Sequence, residues 1–262
     1  MAFANKVAII TGASSGIGKA LAGELADQGC KVGLIARRRE LLVELAAAIE
    51  AKGGAVAFAA ADVAEREPTL AAIRDVASRL GPVDLLVANA GVGAPTLLDP
   101  INIADVEKMF RINLLGVVYS IEAVLPELLK RGQGHLAAVS SMAAFKGLPG
   151  ESAYCASKSA LNTYMEGMRI HLRHRGIAVT TICPGFVATP MTEVNQFKMP
   201  FLIQPDDAAR RIAWALARRR KVFNFPWQMT LLMRLTACLP DWLVARAMNK
   251  YNEEPPFPKA PL

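Results

Sequence analysis

The stretch Lys6-Val7-Ala8-Ile9-Ile10, followed at once by Thr11-Gly12-Ala13-Ser14-Ser15-Gly16-Ile17-Gly18, restricts this chain more than any other. The apolar, branched run reads as a buried strand, and Ala20, Leu21, Leu25 and Ala26 then repeat at helical spacing. Strand, glycine-rich turn and helix together leave free backbone N–H groups at a helix N-terminus, where a pyrophosphate sits. Glycines are required where a side chain would hold the phosphates away or forbid the turn. An ordinary strand-to-helix turn is the alternative, and the strand before and the helix after weigh against it.

A second strand, Lys31-Val32-Gly33-Leu34-Ile35, runs into Ala36-Arg37-Arg38-Arg39. Dinucleotide sites that hold a free ribose carry an acid here, roughly 20 residues past the glycines. This chain carries arginines, whose forked guanidinium matches a phosphate and stays charged at any working pH. The expectation is an adenosine 2′-phosphate site, hence NADP, with Arg37 and Arg38 as anchors and Ser14 as a helper. A basic surface helix start is the alternative, and the helix macrodipole disfavours it.

Tyr154 and Lys158 lie four residues apart, about one helical turn, and so project from the same helix face. A fixed cation favours the phenolate and is expected to pull the tyrosine below its usual value near 10. A tyrosine so tuned exchanges a proton with an alcohol or carbonyl.

Hydrophobic residues make up 53% of the 262-residue chain, enough for a sheet buried on both faces. Apolar runs at 83–88, 135–139 and 178–182 alternate with helical patterns at 41–52, 69–80, 105–130, 157–175 and 206–219. That alternation predicts one α/β domain with a doubly wound parallel sheet. Cys30, Cys155, Cys183 and Cys238 are far apart and show no metal-binding spacing. His171 and His174 sit beside Arg173 and Arg175 and read as a solvated helix end, so no metal is expected. The apolar N-terminal run flows straight into the glycine turn rather than forming a leader, and a cytoplasmic protein with free thiols is expected. Net charge of +7 raises nucleic-acid binding, but the basic residues build no reading motif.

The ordered set of these features resembles the short-chain dehydrogenases/reductases. The matching pieces are the Thr11 to Gly18 turn, Asp62-Val63, Asn89-Ala90-Gly91, Asn113, Ser140-Ser141, Tyr154 through Lys158, and Pro184-Gly185 with Thr189. One departure is Ala88, where many members carry a second asparagine. The resemblance implies a Rossmann-type fold and a homodimer or homotetramer. It implies that Tyr154 is the acid in reduction and the base in oxidation, and that Lys158 lowers its pKa and holds the nicotinamide ribose. It implies that Ser141 binds the substrate oxygen and that Asn113 supports a water relay to the lysine. The cofactor contacts it implies are Gly12, Ser14, Ser15, Gly16, Ile17 and Gly18 in the turn, with Asp62 and Val63 at the adenine. Asn89, Ala90 and Gly91 line the cleft, and Pro184, Gly185, Val187 and Thr189 receive the nicotinamide end.

Ordinary alternatives stand beside each residue. Asp62 would cap a helix near Glu65, Asn113 would be satisfied inside a helix pair, and Pro184-Gly185 would be a simple turn.

Past Thr189 the sequence is individual. Residues 190–204 form an apolar loop, with Phe197, Met199, Phe201 and Leu202, that suits a lipophilic carbonyl or alcohol substrate. The catalytic domain is placed at 1–225 and a helical extension at 226–262. Two short helices, near 226–235 and 241–248, are too short to span a membrane. They either cover the substrate pocket or a subunit interface, the favoured placement, or make peripheral membrane contact. The proline-rich 253–262 segment reads as an extended tail. The activity expected is NADP(H)-dependent interconversion of ketone and secondary alcohol, with carbonyl reduction the favoured direction. A catalytically idle NADP-binding sensor or scaffold is the rival.

Overall fold

The computed structural model describes residues 2–195 and 198–248. Phe197 and the proline-rich tail lie outside them. Seven parallel strands form one sheet: β1 (Val7–Thr11), β2 (Lys31–Ala36), β3 (Val56–Ala60), β4 (Leu85–Ala88), β5 (Gly134–Val139), β6 (Ile177–Pro184) and β7 (Val222–Phe225). Their order is β3-β2-β1-β4-β5-β6-β7. The chain builds outward from β1 through β2 to β3, then crosses back to lay β4 on the other side of β1. That reversal opens a crevice at the C-terminal ends of β1 and β4, where α/β sheets bind ligands.

Side chains on β1 alternate between faces, so each layer has its own core. Ala8 and Ile10 pack with Leu21 and Leu25 of α1 (Gly16–Asp27), Leu42 and Ile49 of α2 (Arg39–Ala51), and Ile212 and Leu216 of α8 (Pro205–Ala217). Ile9 faces the other way, onto Ile73 and Val76 of α3 (Arg66–Leu80). The same layer holds Val117 and Ile121 of α5 (Gly116–Arg131), and Leu161 and Met165 of α6 (Ser152–His171). Gly33 in β2 permits this packing, because a Cβ there would come within 2.5 Å of Val76 Cγ1.

The sheet fits the expected doubly wound architecture, and three local features differ from the sequence reading. Strand β3 was not anticipated; its Val56-Ala57-Phe58-Ala59-Ala60 run is alanine-rich, and alanine gives no strand signal. The expected helix at 105–130 is α4 (Ile103–Phe110) joined to α5 through a π-helical turn at Arg111–Leu115. Helix α6 begins at Ser152 rather than at Ser157, which brings Tyr154 inside the helix. The remaining helices are α7 (Pro190–Glu193), α9 (Trp227–Cys238) and α10 (Asp241–Ala247).

Candidate active site

The glycine turn is shaped by what it cannot accommodate. Gly12 has φ +66°, and a Cβ there would lie 2.7 Å from Ala90 Cα. Gly16 has φ +53°, and a Cβ on it would meet Thr189 Cγ2 at 2.9 Å. Both positions need glycine on conformational and steric grounds together. A Cβ on Gly18 would reach within 2.5 Å of Asn89 Nδ2. The turn is therefore pressed between the β4 end on one side and the segment after β6 on the other.

Thr11 and Asn89 stitch that junction. Thr11 Oγ1 accepts from the backbone N–H groups of Asn89 and Ala90, each at 3.1 Å, and Asn89 Nδ2 donates to Thr11 O at 3.0 Å. Asn89 thus positions the turn as well as lining the cleft. Thr11 is a supporting residue that the sequence reading did not single out.

At the open end of the turn, Arg38 Nη2 donates to Ser14 Oγ at 3.0 Å and to Ser15 Oγ at 2.8 Å. This brings together the guanidinium and the serine expected at a 2′-phosphate. Arg37 is drawn to Asp62, at 3.7 Å in a solvent-exposed pair. Asp62 also accepts from Ala64 N–H at 3.0 Å in a turn before α3. The carboxylate that sequence placed at the adenine is partly committed to Arg37, and Arg38 is the arginine seated over the serines. Backbone turn, backbone-only glycines and a guanidinium fit a dinucleotide that carries an extra phosphate.

A second convergence surrounds Gly91. A Cβ there would lie 3.2 Å from Asn113 Oδ1 and 3.3 Å from Lys158 Nζ, so the loop after β4 lies directly against both side chains. Asn113 is fully buried in the π turn. Its Oδ1 accepts from Val92 N–H, and its Nδ2 donates to Val92 O, both at 2.9 Å, and to Ser157 Oγ at 3.0 Å. The asparagine amide ties α5 to α6 and to this loop. These bonds match the structural alternative for Asn113, a polar side chain satisfied between packed segments, and they place it behind the cleft.

Lys158 is buried, and its Nζ donates to Val139 O at 3.0 Å. Ser140 Oγ donates to Lys158 O at 3.2 Å, and Ser140 lines the cavity beside Ser141. Ser141 Oγ instead caps a 3₁₀ turn at Met142–Phe145, accepting from Ala143 N–H at 3.1 Å, and lines the cavity with Tyr154, whose pKa it lowers. The Ser141 proton is left free to donate into the cavity.

The electrostatics of the pair differ from the sequence expectation. Lys158 Nζ stands 5.9 Å from the Tyr154 ring centroid, yet Tyr154 is pushed up to about 12. Burial is the largest cause, the Ser141 hydrogen bond opposes it, and the Glu151 charge adds to it. Burial likewise pulls Lys158 down to about 8. Both shifts favour the neutral forms, and desolvation outweighs mutual attraction.

Comparison with known proteins follows the same outline. The family model for short chain dehydrogenase matches residues 6–199. The chain belongs to the short-chain dehydrogenase family. An uncharacterized oxidoreductase of Myxococcus xanthus is 39% identical over 245 residues, covering 94% of this chain and 97% of that one. A gluconate 5-dehydrogenase from Burkholderia cenocepacia, solved with NADP and tartrate, superposes with a TM-score of 0.80 at 26% identity, covering 87% of this chain and 96% of that one. A variant actinorhodin polyketide ketoreductase solved with NADPH gives 0.77 at 27% identity, covering 84% and 95%. Membership makes the protein an oxidoreductase working at a CH–OH or carbonyl group.

In this short-chain dehydrogenase the glycine turn and the tyrosine open into one cavity of about 770 Å³. Every residue that sequence assigned to the site lines it except Gly18 and Asn113, which support it from behind. Pro184, Gly185 and Val187 form one wall, held by Gly185 N–H to Phe225 O at 2.8 Å and by a bridge from Val187 to Ile203. Thr189 caps α7 through a reciprocal arrangement with Thr192, whose Oγ1 accepts from Thr189 N–H at 2.9 Å. The far end is apolar: Met142, Leu148, Phe186 and Met191, with Met229 and Met233 from α9 and Met248 beyond α10. Helix α9 therefore covers the cavity with one face while Trp227, Leu231 and Leu235 stay exposed on the other. Glu151, which sequence reasoning passed over, also lines the cavity; its only sequence signal was an acid one helical turn before Tyr154.

Proposed function

We propose that this protein is an NADP(H)-dependent oxidoreductase that interconverts a ketone and a secondary alcohol, with Tyr154 as acid and base, on a substrate with a lipophilic body. The observation that carries the reading is that Ser141, Tyr154 and Lys158 line the same cavity as the glycine turn. A bound nicotinamide supplies or accepts the hydride. The chain supplies the rest.

Tyr154, raised to about 12, keeps its proton at neutral pH and is ready to pass it to a carbonyl oxygen as negative charge develops there. Ser141 offers a second donor to the same oxygen, so two hydroxyls stabilise it as an oxyanion hole does. Lys158 stands one turn away, buried and tied to Val139 O, where its charge holds down the phenolate left after transfer. Arg38 with Ser14 and Ser15 selects the 2′-phosphate, and Arg37 releases Asp62 at little cost because that pair is exposed. The methionine-lined end excludes water and adapts to an irregular apolar body.

The exposed faces of α9 and α10, with Trp227 and Trp242, are suited to the subunit contacts of a homodimer or homotetramer. The test of function is loss of NADPH absorbance against a ketone panel running from small keto esters to steroids and long-chain keto-lipids. Turnover biased to large apolar ketones is the expected result. Tight NADPH binding without turnover anywhere on the panel would favour a sensor instead.

A further inference from the structure

Glu151 stands at the N-cap of α6, three residues before Tyr154, and lines the cavity beside it. A carboxylate at that position ordinarily turns back to accept from the first free amides of its own helix. Here it accepts none. The amide it would cap, Ala153 N–H, is taken by Thr96 Oγ1 at 3.0 Å, and Thr96 N–H is anchored on Gly150 O at 2.6 Å. The segment between β4 and α4 thus caps the helix from outside and leaves the Glu151 carboxyl to the cavity.

Nothing among the described residues offsets that carboxyl. No hydrogen bond or ion pair reaches it, and the cations lining the cavity are engaged or placed elsewhere. Lys158 is tied to Val139 O, Arg37 and Arg38 lie at the glycine turn, and Lys198 exerts no pull on it. Burial alone pushes Glu151 up to about 7. The half-buried Glu151 carboxyl shares the cavity with apolar Met142, Leu148 and Phe186, where a substrate that displaces water must itself donate to it or leave it unpaired.

We infer that Glu151 is a substrate-specificity residue that accepts a hydrogen bond from a hydroxyl or ammonium group carried beside the reacting carbonyl. The substrate class is then an apolar ketone or alcohol with a donor close to the reacting carbon. Residues three apart on a helix hold their Cβ atoms about 5–6 Å apart, so the donor sits within a few bonds of the oxygen that Tyr154 serves. The assignment rests on the oxidoreductase reading above.

The test uses a matched pair of substrates, a β-hydroxyketone and the plain ketone of the same carbon skeleton, with the full-length enzyme and NADPH. The readout is the ratio of their kcat/KM values. In Glu151→Leu that ratio is expected to fall by about 10- to 100-fold, the worth of one hydrogen bond to a charged group. Glu151→Gln keeps an acceptor and a near-identical shape, so its ratio falls less; it carries the test if the leucine variant fails to bind NADPH. A ratio unchanged in both variants, with turnover retained, overturns the assignment and leaves the oxidoreductase reading standing. No turnover of either ketone by the unaltered enzyme overturns the assignment of this substrate class, while the oxidoreductase reading is decided by the wider ketone panel.

Discussion

Replacing Arg38 by alanine separates a phosphate anchor from a surface arginine. Its guanidinium is held over the glycine turn by Ser14 Oγ at 3.0 Å and Ser15 Oγ at 2.8 Å, so the fork is ordered before any anion arrives. A hydrogen bond to a charged group contributes about 1.5–3 kcal/mol, and Arg38 is exposed enough that solvent screening holds the total near one such bond. A loss of about 2 kcal/mol corresponds to about 30-fold in Kd for NADPH. NADH lacks the phosphate and should change by less than about twofold. Fluorescence or calorimetric titration of both cofactors gives the two numbers directly. Arg37→Ala is expected to act in the same direction with a smaller effect, because Arg37 faces Asp62 whereas Arg38 is seated on the serines of the turn. Raising salt should weaken NADPH binding to the unaltered protein more than to Arg38→Ala. If Arg38→Ala weakens NADH and NADPH by the same factor, the guanidinium does not meet the phosphate and the geometric argument fails.

Tyr154→Phe should lower kcat by about 10²- to 10⁴-fold while NADPH still binds, checked by steady-state rates and titration on one preparation; near-normal turnover would remove the acid/base assignment. Asn113→Leu strands the Val92 backbone groups and Ser157, and should cost about 2–4 kcal/mol in chemical denaturation. His135, buried against Thr180 Oγ1 at 2.8 Å, is held down to about 4 by desolvation, so its share of stability is present above pH 6.5 and is lost as pH falls toward 4. That loss is on the order of 3 kcal/mol and should flatten in His135→Gln. Glu151 has the opposite sign, stabilising below 4.5 and losing that share as pH rises through 7, so the His135 comparison is cleanest on a Glu151→Gln background.

Much of the architecture was legible because it rests on strong local signals. Apolar runs gave β1, β2, β4, β5 and β6, and the glycine turn fixed where the sheet meets α1. Strand β3 escaped because alanine fills both helices and strands, and only pairing with β2 decides between them. The π turn left no trace in the hydrophobic period, since it adds one residue to a turn within an otherwise continuous helical pattern. The arginine that meets the serines was also undecidable from order alone: Arg37 and Arg38 are equivalent in sequence, and the backbone leaving β2 sends one to Asp62 and the other to Ser14.

The tyrosine–lysine pair shows most clearly where sequence reasoning stops. Spacing correctly placed both residues on one face of α6 and inside the cleft. The sign of the tyrosine's shift, however, depends on how much water each group loses, and sequence carries no measure of that. Lys158 is buried and Tyr154 half-buried, and loss of water drives each toward its neutral form, Tyr154 up to about 12 and Lys158 down to about 8. The direction matters for chemistry. A tyrosine that holds its proton is prepared to donate it, which suits carbonyl reduction, whereas alcohol oxidation begins from a phenolate that this environment resists. Ser141 works against that resistance, and the Glu151 charge works with it. In the proposed mechanism the pH dependence of proton transfer at Tyr154 therefore depends on the side chains around its hydroxyl, and Glu151 is the one that sequence reasoning passed over.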